Sequence, residues 1–185
     1  MQNEYILALD ASTKRTGYAI YTQKNETIKY GVISSASADV EKRICIMRDE
    51  IIRLVKENNI KIIIIEEVRP DGGNAHTGKV LTWLQGCIAV AAYEYNKNIE
   101  IVYIGPSSWR RVIGIPQGRG VKREQQKIMD IEYANKTYNL HLTNFQDDEA
   151  DAICILSAYF KNAGAIIENT QIKEFHEIGQ EESAF

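Results

Sequence analysis

The chain has 185 residues, 44% hydrophobic and 25% charged, which suits one domain with a real core and excludes a disordered or collagen-like protein. No segment nears the roughly 18 consecutive apolar residues of a membrane helix, and the start Met1-Gln-Asn-Glu-Tyr-Ile-Leu lacks the basic lead of a secretory signal, so a cytoplasmic protein without membrane contact is expected. A formal net charge of −3 does not by itself announce a partner as acidic as nucleic acid.

Glu4 to Asp10 alternates and then runs apolar, and Thr16 to Thr22 repeats the pattern after the turn-like Ala11 to Arg15; together they read as two strands of a hairpin. Thr27 to Ile33 follows the polar turn Lys24-Asn25-Glu26 and completes a three-stranded antiparallel meander. Val40 to Asn58 places Ile44, Met47, Ile51, Leu54 and Val55 at helical spacing and stops at Asn58-Asn59. Lys61-Ile-Ile-Ile-Ile-Glu66 is a β-branched run of the kind buried on both faces of a central parallel strand. Arg69 to Gly78 reads as a loop, Lys79 to Tyr95 as a long apolar helix with small residues at Gly86, Ala89, Ala91 and Ala92, and Glu100 to Ile104 as a further short strand. Pro106 to Ile113 predicts a short helix, Val121 to Tyr138 an amphipathic one, and Asp148 to Phe160 a last apolar helix after the loop Thr143-Asn144-Phe145-Gln146. The fold class is therefore α/β, a mixed five-stranded sheet of three antiparallel strands followed by parallel ones, flanked by helices. Residues 1–162 form one domain, and 163–185 an acidic tail or peripheral helix. Cys45, Cys87 and Cys154 lie in apolar periodic segments without metal-ligand spacing, as small buried hydrophobes of a reducing compartment do.

Charge is distributed unevenly. Arg110, Arg111, Arg119, Lys122, Arg123 and Lys127 are opposed locally by Glu124, whereas the tail carries Glu168, Glu174, Glu177, Glu181 and Glu182 against Lys173. The acidic tail masks a basic segment. Lys122, Arg123 and Lys127 fall within two turns at a helix start, a natural place for phosphate contacts, although such a run is also what a solvated helix face looks like.

The acids carry the chemistry. Asp10 closes one apolar strand, Glu66 and Glu67 close another, and Asp147, Asp148 and Asp151 open the last helix. Strand ends are where α/β sheets build sites, and Asp148 and Asp151, at i and i+3, share one helical face. Two carboxylates brought within about 4 Å repel by ~4 kcal/mol at an effective dielectric of 20, so such a cluster takes up protons or holds cations. Magnesium suits oxygen ligands, and two ions can stabilise both the attacking and leaving oxygens of phosphodiester hydrolysis. Any one of these acids alone could be a turn or helix-cap residue. Periodicity leaves two ambiguities: Glu67 in place of Glu66, and Asp147, which shares a face with Asp151 at i and i+4, in place of Asp148.

The motifs Ile6-Leu-Ala-Leu-Asp10-Ala-Ser-Thr-Lys-Arg-Thr-Gly17-Tyr-Ala, Ile64-Ile-Glu66-Glu-Val68 and Asp148-Glu-Ala-Asp151-Ala-Ile-Cys-Ile resemble, in order and spacing over about residues 4 to 160, the RuvC family of Holliday-junction resolvases, in particular its bacteriophage-type members. Leu84-Gln-Gly86-Cys-Ile-Ala-Val-Ala-Ala is similar to the family's long helix after the catalytic Glu, and Gly105-Pro-Ser-Ser-Trp-Arg-Arg to its following turn. The resemblance implies an RNase H-like fold, a homodimer, and magnesium-dependent nicking of four-way junctions and other branched DNA, with manganese able to substitute and two ions per site. It selects Glu66 and Asp148 beside Asp10 and Asp151 as catalytic metal ligands, and places Lys122 as a catalytic lysine near the scissile phosphate. Arg69, Lys79, Arg110, Arg111, Arg119, Arg123 and Lys127 are the further candidates for holding DNA. After Glu66 this chain has Arg69-Pro70-Asp71-Gly72-Gly73 where bacterial members often carry an aromatic, so Arg69 would have to stack or contact phosphate there. The small residues of Lys79 to Tyr95 make that helix the candidate dimer interface. Three rival readings remain: the first phosphate loop of an actin-like ATPase or sugar kinase, which a chain of this length cannot complete; a related nuclease acting on structured RNA or RNA-DNA hybrid; and a non-catalytic DNA-binding protein of the same fold.

Overall fold

The computed structural model describes residues 5–22, 27–68, 75–118, 120–162 and 171–174. Strands β1 (Tyr5–Asp10), β2 (Arg15–Thr22) and β3 (Thr27–Ser34) form the antiparallel meander, with Asp10 opposite Gly17 and Thr16 opposite Ile33. Helix α1 (Val40–Glu57) follows; Asp39 caps it by accepting from the Lys42 amide at 2.9 Å, and Asn59 turns the chain out at φ 51°. Strand β4 (Ile62–Glu66) then lies parallel to β1, with Leu9 beside Ile65. After helix α2 (Ala75–Tyr95), strand β5 (Glu100–Ile104) pairs in parallel with β4, and α3 (Pro106–Ile113), α4 (Arg123–Tyr138) and α5 (Asp147–Asn162) complete the domain.

The sheet runs β5-β4-β1-β2-β3-β6. Its sixth strand, β6 (Gln171–Glu174), pairs in parallel with β3, so the sheet is one strand wider than the five expected, and part of the tail supplies the edge. Helix α2 starts at Ala75, four residues before the expected Lys79, and Gly78, expected in the loop, lies in its first turn, where the Thr82 hydroxyl donates to its carbonyl at 2.9 Å. Among the described residues no helix is long and apolar enough to cross a membrane.

Strand alternation divides the apolar residues between two cores. Ile6, Ala8, Ala19, Ile62 and Ile64 face α3, α4 and α5, whereas Leu7, Leu9, Tyr18, Ile20, Ile63 and Ile65 face α1 and α2. Helix α5 is the central one: Ala150, Ala152, Ile153, Cys154, Ile155, Leu156 and Ala158 are all fully buried. Cys154 fits the expected role of a small core residue, Cys87 is partly covered, and Cys45 departs from it by lying exposed on α1.

Candidate active site

The same alternation aims the acids. Asp10 continues the Ile6–Ala8 face of β1 and Glu66 the Ile62–Ile64 face of β4, so both leave adjacent parallel strands toward α5. Glu67, the register alternative, is exposed. Helix α5 can bring its first turn over these ends because of Gly17, which lies opposite Asp10 in the ladder. A Cβ on Gly17 would stand 1.9 Å from the Asp148 carbonyl oxygen and 3.0 Å from the Glu149 amide nitrogen. Strand and helix backbones therefore touch, and Asp148 and Asp151 are carried to Asp10.

Electrostatics records the convergence. Burial raises the Asp10 carboxyl well above the ordinary range, and the charges of Glu66 and Asp148 push it further. Asp151 is raised in the same way, by burial first and then by Asp10 and Asp130; its Oδ1 is buried without a hydrogen-bond partner among the described residues. Asp148 is raised by burial and by Asp147, against the attraction of Arg15.

Glu66 and Asp148 are also held by donors. The buried Trp109 indole Nε1 donates to Glu66 Oε2 at 2.6 Å, and Gln85 Nε2 donates to the Glu66 carbonyl at 2.7 Å. Arg15 Nε meets Asp148 Oδ2 at 2.5 Å and its Nη2 meets Glu149 Oε2 at 3.3 Å. Lys127 pairs with Asp147, which gives that acid a partner on α4 and sets it apart from Asp148. No three acids among the described residues close into a ready-made ion cage. The donor set nevertheless fits a hard divalent cation: clustered carboxylates, raised by burial and then by mutual repulsion, with one buried oxygen left unpaired.

A cleft of about 610 Å³ opens over the cluster, lined by Asp10, Glu66, Glu67 and Asp148 together with Lys14, Arg43, His76 and Arg123. The family model for "Crossover junction endodeoxyribonuclease RuvC" matches residues 6–158, the span that carries every one of these side chains. The chain belongs to the RuvC family.

Within the RuvC family, the crossover junction endodeoxyribonuclease RuvC of Thermomicrobium roseum is 23% identical over 163 residues, covering 86% of this chain and 94% of that protein. The fold matches that of T. thermophilus RuvC in complex with a Holliday junction substrate, at a TM-score of 0.62 and 12% identity over 87% of this chain and 95% of that one. It also matches the Fowlpox virus resolvase solved with its Holliday junction DNA, at 0.51 and 19% over 86% of this chain and 98% of that one. The α/β, RNase H-like fold expected from the sequence is the fold found.

The expected DNA contacts are distributed differently. Arg123 lines the cleft, and Lys122, the residue before α4, is exposed beside it, its amide donating to Gln125 Oε1 at 3.0 Å. Arg111 is exposed. Lys79 is exposed on α2 with its ammonium 4.9 Å from the Trp83 ring centroid, and Lys127 is taken by Asp147. Arg110 points inward, into a bidentate pair with the fully buried Asp130. Arg69 and Arg119 lie outside the described residues. Four residues that matter here escaped the sequence: Trp109, Gln85, Asp130 and Arg15. Trp109, Gln85 and Arg15 lay within quoted motifs, where a sequence signal could have raised them; Asp130 sits in an ordinary amphipathic helix and only its burial distinguishes it.

Proposed function

We propose that this chain is a divalent-cation-dependent endonuclease that nicks four-way junctions and other branched DNA, acting as a homodimer. The observation that carries the reading is the meeting of Asp10, Glu66, Asp148 and Asp151 on one face of the sheet, with Asp151 Oδ1 buried and unpaired. These four side chains would hold magnesium, two ions per site, with manganese as a substitute; bound there, the cations supply an activated water and charge stabilisation for the phosphodiester. Trp109 and Gln85 hold Glu66 in place, Arg15 orients Asp148, and both tasks precede the chemistry. Lys14 and Arg123 at the cleft wall, with Lys122 next to Arg123 in the chain, supply the positive charge that positions a phosphate backbone.

The dimer reading rests on α2. Trp83 (43% exposed), Gly86, Val90 (60%) and Tyr93 (46%) repeat at helical spacing on the face turned away from α1, and a Cβ at Gly86 would meet nothing within 4 Å. Tyr103 on the edge strand β5, 45% exposed, extends the patch toward Tyr93. A self-complementary apolar stripe of this kind suits a two-fold partner, and Val90→Glu is expected to convert a dimer to a monomer in gel filtration.

The direct test incubates the purified chain and magnesium with synthetic four-way, three-way, flap and linear DNA. Nicking of the branched substrates is expected. An intact four-way junction in both magnesium and manganese would remove the nuclease reading, equal cutting of linear duplex the branched-DNA part, and preferred cutting of RNA-DNA hybrid would move the substrate to RNA.

A further inference from the structure

The acid cluster contains a cation of its own. Arg110 on α3 sends Nε to Asp130 Oδ2 at 3.1 Å and Oδ1 at 3.3 Å, and Nη2 to the same Oδ2 at 2.8 Å. That Nη2 also stands 3.6 Å from Asp151 Oδ2. Asp130 on α4 is 0% exposed and the Arg110 side chain 14%, so the guanidinium is fixed between an anchor and the cluster. Its charge reaches further, because Asp10 and Glu66 both interact with it. The preceding residue, Trp109, holds Glu66. Two consecutive side chains of one short helix thus reach acids from three different elements, β4, α4 and α5.

A staple between α3 and α4 would not require a neighbouring carboxylate, and the electrostatics of such a pair differ from those of a plain salt bridge. The positive member of the pair is the one that acts on Asp10 and Glu66, whereas Asp151 meets both, Asp130 raising its carboxyl and Arg110, 3.6 Å away, lowering it. We propose that Arg110, anchored by Asp130, is a positioning residue that acts as the resident counter-charge of the carboxylate cluster, holding it together before a cation binds and setting how much divalent cation is needed to fill it. The inference rests on the metal reading above. A fixed positive charge among the acids offsets their repulsion in the cation-free protein and opposes the entry of a divalent ion.

The test reads manganese(II) binding by calorimetry, alongside thermal melts in chelator and in saturating magnesium. Asp130→Asn leaves the Arg110 charge uncompensated and is expected to weaken manganese binding by roughly tenfold, the effect of one added unit charge several ångströms from a divalent ion in a water-like medium. Arg110→Gln combined with Asp130→Asn removes the dipole while keeping a neutral hydrogen-bonding pair; binding should tighten by about threefold, and the cation-free melting point should fall more than the magnesium-loaded one. Arg110→Lys, which keeps the charge but not the fork, should bind within about twofold of the parent. Affinities that do not move in opposite directions, with melting points lowered equally in chelator and magnesium, would reduce the pair to a structural staple and overturn the inference. If the parent protein itself binds no manganese, the metal reading falls and this inference with it; if the parent binds and the variants match it, only the inference falls. The opposite signs keep the experiment decisive even where one variant folds poorly.

Discussion

At the scale of single residues, the site is a set of acids of which Glu66 and Asp148 are held by specific donors, and substitutions separate charge from position. Asp10→Asn removes a group whose surroundings disfavour its charge, since burial, Glu66 and Asp148 all raise it. In metal-free buffer the variant should therefore melt higher than the parent, by about 2–4 °C for each kcal/mol of repulsion relieved, while DNA cutting falls by more than about 100-fold and junction binding in a gel shift persists. A lower melting point would contradict the convergence of charge described above. Trp109→Phe keeps a large ring in a fully buried position but strips the 2.6 Å hydrogen bond from Glu66 Oε2. A loss of about 1–3 kcal/mol in urea unfolding, with kcat reduced about tenfold and KM little changed, is the expected pattern; an unchanged kcat would leave Trp109 as packing alone.

At the scale of elements, the decisive contact is between β2 and α5. Gly17 is required by a backbone approach rather than by its own φ, because a Cβ there would overlap the Asp148 carbonyl at 1.9 Å. Backbone cannot yield as the end of a flexible side chain can. Gly17→Ala should push the first turn of α5 off the sheet, costing about 2–3 kcal/mol by denaturant titration, and withdraw Asp148 and Asp151 together. Its loss of activity should therefore exceed that of Asp148→Asn alone; parity between the two would place the helix elsewhere. The α5 motif and the Gly17 motif, far apart in sequence, are one structural device.

At the scale of the whole molecule, the fold bears an electrostatic strain that a cation can relieve. Asp10, Asp148 and Asp151 all have carboxyls raised first by burial. A carboxyl whose value is higher in the folded than in the unfolded chain takes up protons on folding. The metal-free protein should therefore be most stable, as far as these groups decide it, below the unfolded carboxyl values near 4, and lose that stability as pH rises through the raised folded values. Urea midpoints in chelator should then be higher at about pH 5.5 than at about pH 7.5, and added magnesium should close the gap by binding the ionised forms. A midpoint in chelator that rises with pH would show that other groups dominate the titration.

Much of this was legible in the sequence. The meander, the buried β4 run, the order of helices and the place of Asp10, Glu66, Asp148 and Asp151 at element ends follow from apolar periodicity and from motif order, both local properties of the chain. Periodicity could not choose between Glu66 and Glu67, because a strand's two faces are equivalent until something covers them; the face carrying Ile62 and Ile64 became the site only when α5 packed on it. The sixth strand escaped because a short polar segment has no preference that outweighs its neighbours until β3 offers an open edge. The direction of Arg110 was hidden for a similar reason: a basic run declares charge but not direction, and the buried Asp130 turns this one inward. The sequence by itself determined which chemical groups were present and on which kinds of element. Only the tertiary structure decided which groups face one another, since burial and Coulomb interaction depend on distances that no local pattern contains.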